Sequence, residues 1–359
     1  MSPVLKRYLA REVFASTGLV LVAFLGLFAF FDFVNELEDI GKQGYELYHA
    51  FIYVLMTLPG RVYELLPIAV LIGTLYALTT LARHSEITVM RASGLSNLAM
   101  MRMLAQVGAV FVVLTFVFGE YIAPPAESAA QQWRLVATNS TVSQQLRSGL
   151  WVKDGPRIVN VRTLRADRSM ERVRIFEFDA ENQMASASEA ASGAYDRQEG
   201  VWRLRDVVST RFTDEATTVE RQEELVWRSE LTPEVLSVLM ISPERMSVVA
   251  LYAYIRHLQE NRQSTERYEI ALWKKLTYPL ATLVMMALAL PFAFMHDRMG
   301  AVSVKVFLGI MLGIGFQLLN GLFSNLGVIN AWPPVMAALT PALIFLLAAG
   351  ALLYLVERR

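Results

Sequence analysis

Long apolar runs occupy both ends of the chain, and a more polar region separates them. Six runs are long enough to cross a bilayer as helices, which takes about 20 residues. Pro59-Gly60 predicts a break between the second run and an apolar arm before it, and Pro124-Pro125 predicts the end of the third. Prolines inside later runs are tolerable where neighbouring helices satisfy the backbone. The runs lie at about 13–33, 65–82, 103–122, 276–295, 304–326 and 333–356.

The region between the third and fourth runs has the alternation of β-strands. Trp202 and Leu204 alternate with arginines, Asp154-Gly155-Pro156 predicts a hairpin turn, and a phase change within 173–178 predicts a bulge or a strand buried on both faces. Short strands at about ten-residue spacing predict a β-sandwich or jelly roll over about 140–230. We expect Trp151, Trp202 and Trp227 in its core. The helical spacing of 246–269 predicts a helix that leads into the fourth run.

Charge separates the same regions. The 359 residues are 54% hydrophobic and 18% charged, against about 25% charged in soluble domains. Of the 66 charged residues, 41 fall within 125–270, so the chain combines a membrane part with a soluble insert. Net charge is zero, which argues against a nucleic-acid binder. The absence of cysteine excludes disulfides, thiolate zinc sites and cysteine nucleophiles.

The distribution of Lys and Arg in the short loops predicts the orientation. Ten lie on the side of the two termini and four on the other, which places both termini in the cytoplasm and the insert outside it. The fold class is thus a membrane α-helical protein with six spans, arranged 3+3, and an inserted all-β jelly roll. The boundaries are 1–124 for spans one to three, 125–270 for the insert and 271–359 for spans four to six.

Several kinds of chemistry have no sequence motif here. The chain has no phosphate-binding loop for ATP and no Gly-x-Ser-x-Gly elbow. Its four histidines are scattered without metal-ligand spacing, so we expect no metal. Charged residues of the spans lie near their ends, which disfavours an ion relay and ion-coupled transport.

The short cytoplasmic loop of 81–94 carries the strongest local pattern. Ser85 is suited to cap a short helix, Glu86 to its positive end and Gly94 to the position after its end. Ile87 and Met90 share one face. Such a helix either transmits force from a soluble motor or lies on the lipid headgroups, and periodicity does not distinguish the two.

Two motifs are similar to a known family. Leu81-Ala82, Ser85-Glu86, Val89-Met90 and Ala92-Ser93-Gly94 resemble the coupling helix, about 84–94, of the lipopolysaccharide-export permeases, the LptF/LptG family. Gly149–Gly155 resembles the G-type more than the F-type subunit, and Pro333-Pro334 before the last span also fits. The resemblance covers essentially the whole chain.

The resemblance implies half of a heterodimeric ABC permease in the bacterial inner membrane, with its β domain in the periplasm. Its partners would be an F-type subunit, two copies of a cytoplasmic ATPase, a single-span periplasmic partner and a periplasmic bridge protein. Lipopolysaccharide would enter between spans one and five of opposite subunits. The chain itself would bind no cofactor, and ATP and magnesium would belong to the ATPase. The implied ATPase-coupling residues are Arg83, Ser85, Glu86, Ile87, Met90, Arg91, Ala92, Ser93 and Gly94.

The outer end of span one departs from the family, whose G-type subunits carry lysines there that meet lipid phosphates. This chain has Asp32, Glu36, Glu38, Asp39 and Glu46 instead, which repel phosphate. Either this is a solvated acidic loop, or Lys42, Arg61 and Arg134 supply positive charge, or divalent cations bridge acid to phosphate. Our hypothesis is that Lys42 and Arg134 contact the phosphates.

Spans one and five offer phenylalanines for an acyl-chain cavity, although bulk lipid or a neighbouring helix is the more common surrounding of any single phenylalanine. Gly309-x-x-x-Gly313, with Gly315, permits close helix approach. Two polar residues of span five either line a cavity or form hydrogen bonds between helices. The candidate lipid-binding set is Phe28, Phe31, Asp32, Lys42, Arg61, Arg134, Phe307, Phe316, Gln317, Asn320 and Phe323.

Three other functions remain open at this point: the F-type paralogue, a non-transporting mechanotransmitter or sensor, and a membrane enzyme acting on lipids. Six spans argue against a mechanotransmitter, which usually has four. The lack of a catalytic constellation disfavours the enzyme.

Overall fold

The computed structural model describes residues 3–41, 44–94, 97–137, 149–165, 169–179, 181, 183–213, 216–229, 231–233, 242–294 and 302–357. The chain divides into two compact units. The first comprises Met1–Asn35, Val54–Glu127 and Glu266–Arg359, and the second comprises Glu36–Tyr53 and Ser128–Thr265.

Six helices of the described residues are long and apolar enough to cross a membrane, which confirms the predicted number of spans. Three come before the β region and three after it. In chain order the helices are α1 Pro3–Leu37, α2 Leu47–Arg83, α3 Glu86–Ala92, α4 Asn97–Val117, α5 Ala123–Ala137, α6 Val248–Glu260, α7 Glu266–Phe294, α8 Val302–Ile329 and α9 Pro334–Glu357.

Two predicted helix ends are wrong. Helix α2 continues through Pro59-Gly60, because the turns on both sides are packed and one missing backbone hydrogen bond does not break it. A π-helical turn, Phe118–Ile122, joins α4 to α5, so Pro124-Pro125 opens a new helix instead of ending one. Proline is accepted there because the first turn of a helix needs no backbone N–H partners.

The predicted helix of 246–269 is present in two parts. Ser247 caps α6, because its hydroxyl accepts a hydrogen bond from the Ala250 N–H at 3.1 Å. Helix α6 then ends at Glu260, and Arg262 in a left-handed conformation reverses the chain before α7 begins.

Within the first unit, α2 is the central helix. In an apolar stretch of 18 residues within α2, 83% of the residues are buried, against 11% in the corresponding stretch of α1 and 22% in that of α8. Gly309 and Gly313 of α8 face α2, where an added Cβ would lie 3.2 Å from Leu75 and 2.7 Å from Ile68. The predicted close approach is therefore confirmed at these two glycines, whereas Gly315 faces open space.

The second unit contains a six-stranded antiparallel sheet in the order β1-β2-β3-β4-β5-β6, which confirms an inserted β domain. The described strands form a meander, and no Greek-key connection of a jelly roll occurs among them. The predicted Asp154-Gly155-Pro156 turn joins β1 to β2, and the predicted bulge lies at Glu177/Phe178. The strands are β1 Leu150–Asp154, β2 Arg157–Leu164, β3 Met170–Phe178, β4 Met184–Asp196, β5 Val201–Phe212 and β6 Thr217–Trp227.

A crease crosses this sheet from β2 to β6. In each of the four strand pairings from β2–β3 to β5–β6, one pair of opposite residues is missing from the ladder. The missing residues form a single line across the sheet, which consists of Arg162, Arg172, Ala191, Asp206 and Glu223. Arg172 and Asp206 have positive φ angles of 50° and 55°. On β3 and β5 this line resets the alternation of side chains, so that Met170 and Val173, and Leu204 and Val207, belong to one core although they are three residues apart.

Two of the three tryptophans expected in the core are there. Trp202 is fully buried and donates a hydrogen bond to the Leu231 carbonyl at 2.6 Å, and Trp227 is buried beside it in the same cluster. The prediction is wrong for Trp151, which lies on the opposite face of the sheet and stacks on Phe176. Alternation places Trp151 between the buried Leu150 and Val152, so it cannot share their face.

Candidate coupling helix and lipid-facing residues

Helix α3 is the candidate coupling helix. The residue after its C-terminal end agrees with the sequence prediction, whereas the residue before its N-terminal end does not. Gly94 has a φ of 93°, as expected for the residue after a helix end. Ser85 precedes the helix, but its φ of 61° is left-handed, and its hydroxyl makes no hydrogen bond with the described residues. The Ser85 carbonyl accepts the first hydrogen bond of α3, from the Val89 N–H at 3.0 Å, but the left-handed backbone differs from the extended one typical of an N-cap, and the side chain does not cap the helix.

The inward face of α3 holds it on the spans. Ile87 is buried in one cluster with Leu81 of α2 and Met100 of α4, and Met90 is also buried. These two predicted coupling residues are therefore anchors of the helix. Ser93 Oγ donates to the Met90 carbonyl at 2.8 Å and closes the last turn.

The outward face of α3 is open. Thr88, Val89, Ala92 and Ser93 are exposed, and Val89 retains 66% of its accessible surface. Glu86 is half-buried and interacts with the hydroxyl of Tyr8 on α1. Arg83 is exposed at the end of α2, and the side chain of Arg91 lies outside the described part of the chain.

Sequence reasoning missed Thr88 and Val89. The signal was available, because Ile87 and Met90 were assigned to one face, and a helix that buries that face must expose the opposite one.

An ion-pair cluster joins α1 to α2 in the first unit. Both guanidinium edges of Arg61 are used: Nε and Nη2 donate to the two oxygens of Asp32 at 2.9 and 2.7 Å, and Nη1 donates to Glu64 at 2.9 Å. The guanidinium also lies over the ring of Phe28 at 5.7 Å. Arg61 is thus already neutralised by the acid that was expected to repel phosphate.

A second cluster in the other unit has the same composition. Arg134 Nη2 donates to Asp39 at 2.5 Å, and Arg134 Nε lies 3.5 Å from Glu36. The hydroxyl of Tyr45 donates to Glu36 at 3.1 Å, and burial together with this carboxylate raises the pKa of Tyr45. Arg134 therefore also faces two carboxylates. Lys42 lies outside the described residues.

The polar residues of α8 are placed within the protein. Gln317 Nε2 donates to the Glu64 carbonyl and to the Tyr278 hydroxyl, both at 3.2 Å, and that hydroxyl donates to the same carbonyl at 2.7 Å. Asn320 is buried. Gln317 therefore forms hydrogen bonds between helices, which is one of the two roles that the sequence left open for it.

The candidate phenylalanines have three different surroundings. Phe31 and Phe307 are exposed on α1 and α8. Phe28 and Phe323 are half-buried, and Phe323 lies against Trp332. Phe316 is buried in the core at 2% exposure and packs edge-to-face on Phe345, so it lines no open surface.

Comparison with known proteins identifies the family. A family model described as "Lipopolysaccharide export system permease LptF/LptG" matches residues 7–355. The chain belongs to the LptF/LptG permease family. It is 31% identical over 345 residues to the lipopolysaccharide export system permease protein LptG of Escherichia coli strain K12, which covers 96% of each chain. It is 31% identical over 343 residues to the LptG of Haemophilus influenzae, which covers 95% of this chain and 96% of the relative.

The second family-like motif, Gly149–Gly155, has a structural basis in β1. Gly149 has a φ of 80°, and a Cβ there would lie 2.8 Å from the carbonyl oxygen of Val161. The Gly155 N–H donates to Asn261 Oδ1 at 2.7 Å, so the β1–β2 turn is fixed to the end of α6. Gly149 is favoured by both its conformation and the close approach, whereas Gly155 is favoured by its left-handed φ of 59° alone.

Proposed function

We propose that the chain is the G-type permease half of an ABC exporter that extracts lipopolysaccharide from the inner membrane and passes it through a periplasmic β domain. The observation that carries the proposal is the family match over 7–355, together with relatives named LptG along nearly their full length. These names favour the G-type over the F-type paralogue.

The proposed assembly follows from this family membership. An F-type subunit completes the permease, and two copies of a cytoplasmic ATPase hydrolyse ATP with magnesium, because this chain has no phosphate-binding loop. A single-span partner and a periplasmic bridge receive the lipid. The excess of Lys and Arg on the side of the termini supports cytoplasmic termini and a periplasmic β domain.

The ATPase contact in this proposal uses the outward face of α3. Glu86 presents charge, and Val89 presents an exposed apolar side chain whose burial against a partner would be favourable. Ile87 transmits the force to α2 and α4, because it is buried in one cluster with residues of those helices, and the buried Met90 lies on the same inward face.

A pair of substitutions on α3 tests this arrangement. In a complex co-expressed with its partners, Val89→Asp and Glu86→Ala should each lower ATPase co-purification or lipid-stimulated ATP hydrolysis by about tenfold, with the chain's melting temperature unchanged. Ile87→Ala is the contrasting change, and it should lower the melting temperature. Normal assembly and ATPase activity in both outward variants would remove the coupling role of this face.

The lipid surface in this proposal is formed by the open faces of α1 and α8, with Phe31 and Phe307 as contacts. The two arginine clusters set a condition on phosphate binding. A lipid phosphate must displace Asp32 from Arg61, or a carboxylate from Arg134, or bind through a divalent cation.

Photocrosslinking tests the lipid contacts. A crosslinker at position 31 or 307 should label lipopolysaccharide in the assembled complex, and one at the buried position 316 should not. The Lys42→Ala/Arg134→Ala double variant should lose crosslinking and export. Unchanged crosslinking and export in the double variant would exclude the phosphate hypothesis without affecting the assignment to the family.

A further inference from the structure

An apolar groove of about 450 Å³ lies among α4, α7 and α9 in the first unit. Helix α7 forms its floor, with α4 and α9 as its walls. Among its described lining residues only Thr277 is polar, and the Thr277 hydroxyl is already bonded to the Trp273 carbonyl at 2.8 Å. These lining side chains therefore suit a hydrocarbon and not a polar ligand. Representative lining residues are Met101, Ala105, Leu283, Ala287, Ala342 and Leu346.

Small residues keep the groove open. Ala105, Ala287 and Ala342 line it from α4, α7 and α9 respectively. Gly108 of α4 leaves room for Leu283 of α7, since a Cβ there would lie 2.5 Å from Leu283 Cδ2. The space is thus a consequence of alanines at three facing positions.

The dimensions favour one acyl chain over a helix. From Thr277 to Leu290 the floor runs thirteen residues along α7, or about 20 Å at 1.5 Å per residue. One leaflet contributes about 15 Å of hydrocarbon, whereas a partner helix that spans the bilayer needs about 30 Å. The groove is therefore somewhat longer than the hydrocarbon of one leaflet and shorter than a full span, which suits one acyl chain better than a spanning helix.

Positive charge surrounds the end of the groove that lies on the side of α3. Arg102 is exposed next to the lining residue Met101, and no described residue pairs with it. Lys6 and Arg7 are exposed on the first turns of α1, whose Leu9 shares a buried cluster with the lining residues Leu104 and Leu290, and the lining residue Leu353 packs against that cluster. Glu12, one turn further along α1, is half-buried. Basic side chains at this depth attract anionic headgroups.

We propose that this groove holds one acyl chain of an anionic glycerophospholipid, from the leaflet on the side of α3, with Arg102 at its headgroup. The site is separate from the open faces of α1 and α8 assigned above to lipopolysaccharide.

A space-filling variant tests the site in the assembled complex. Ala342→Phe should lower co-purified phosphatidylglycerol, measured by mass spectrometry, by at least about tenfold, the loss expected when two methylene groups or more are expelled. Ala348→Phe is the control, because Ala348 is exposed on α9 outside the groove. Arg102→Gln should lower the preference for phosphatidylglycerol over phosphatidylethanolamine about fivefold. Equal retention in the two phenylalanine variants would overturn the proposal.

A second measurement keeps the proposal testable if Ala342→Phe does not fold. In otherwise unaltered protein, a crosslinker at Leu343, which lines the groove, should label a diazirine phosphatidylglycerol in vesicles of phosphatidylglycerol and phosphatidylethanolamine. Labelling of a partner protein or of lipopolysaccharide at this position instead would show a different occupant and overturn the proposal. Neither result bears on the α3 substitutions or on the crosslinkers at positions 31 and 307, so this proposal and the proposed function can fail independently.

Discussion

Helices α1 and α2 are both long and apolar, and they have opposite roles in the first unit. Leu75 of α2 is fully buried, whereas Leu19 of α1 retains 73% of its accessible surface. Only 11% of the apolar window of α1 is buried, against 83% in α2, although α1 is the more apolar of the two. Apolar sequence therefore identifies a span without telling whether its surroundings are protein or lipid.

The difference arises from what lies opposite each helix. Helix α2 meets glycines of α8 and a backbone segment of α1, and these close contacts enclose it. Helix α1 packs on α2 and α4 along one side and leaves the rest of its surface exposed. In a membrane, packing depends on such close fit because lipid is as apolar as leucine.

The same substitution on both helices gives the largest expected contrast. Leu75→Ala should lower the free energy of unfolding by about 2–5 kcal/mol, because it leaves a cavity in the core. Leu19→Ala, at an exposed position of α1, should change it by less than about 0.5 kcal/mol. Thermal unfolding of both variants in the same detergent checks this. Equal losses would mean that α1 is packed in the protein as well as α2 is.

The contact between α1 and α2 is tested by glycine. A Cβ on Gly73 would lie 2.5 Å from Thr17 Cα and 2.6 Å from its backbone nitrogen, so Gly73→Ala should cost about 1–3 kcal/mol. Gly18→Ala, next to Thr17 on an open side of α1, should be neutral or slightly stabilising. A stable Gly73→Ala protein would show that the two helices separate readily.

The contact between α2 and α8 should be more tolerant. A Cβ on Gly313 would lie 2.7 Å from the Ile68 Cγ2 atom, and a side chain moves more easily than a backbone. We expect Gly313→Ala to cost about 1 kcal/mol, measured by thermal unfolding, with Gly315→Ala as the matched control in open space. A greater loss than that of Gly73→Ala would reverse the order of these two interfaces.

The ion pair that joins α1 to α2 should have the smallest effect. Asp32→Asn removes the carboxylate charge from Arg61 but leaves Glu64 in place, so the loss should be about 1 kcal/mol and should shrink at high salt. Glu38→Gln, at an exposed position just after the end of α1, is the control. A loss of stability that does not depend on salt would indicate that packing of Arg61 on Phe28, and not charge, joins α1 to α2 here.

Much of the fold was predictable because it depends on composition and period. The number of spans, the inserted strands, the Asp154-Gly155-Pro156 turn and the bulge near Phe178 all follow from local pattern. Pro59 was misjudged because the continuity of a helix depends on the packing of neighbouring turns. Trp151 was misjudged because size alone suggested burial, while its place between Leu150 and Val152 assigned it to the other face.

The candidate site was predictable in location more than in detail. The coupling segment was found from its motif, but the exposure of Val89 and the burial of Ile87 depend on which helices lie beside α3. The acids at the outer end of α1 were recognised as unusual. The ion pair of Asp32 with Arg61, however, joins residues that are 29 apart in sequence, and no local sequence pattern predicts such a pair.

The sequence by itself determined that six segments belong in a membrane, that strands lie between the third and fourth, and which family the motifs resemble. The first two properties follow from the transfer of side chains out of water and from backbone hydrogen bonding, and both act within a segment. Only the tertiary structure decided that α2 is the centre, that α3 turns Val89 outward, and that alanines leave an open groove beside α7. Those outcomes depend on shape complementarity between segments distant in the chain.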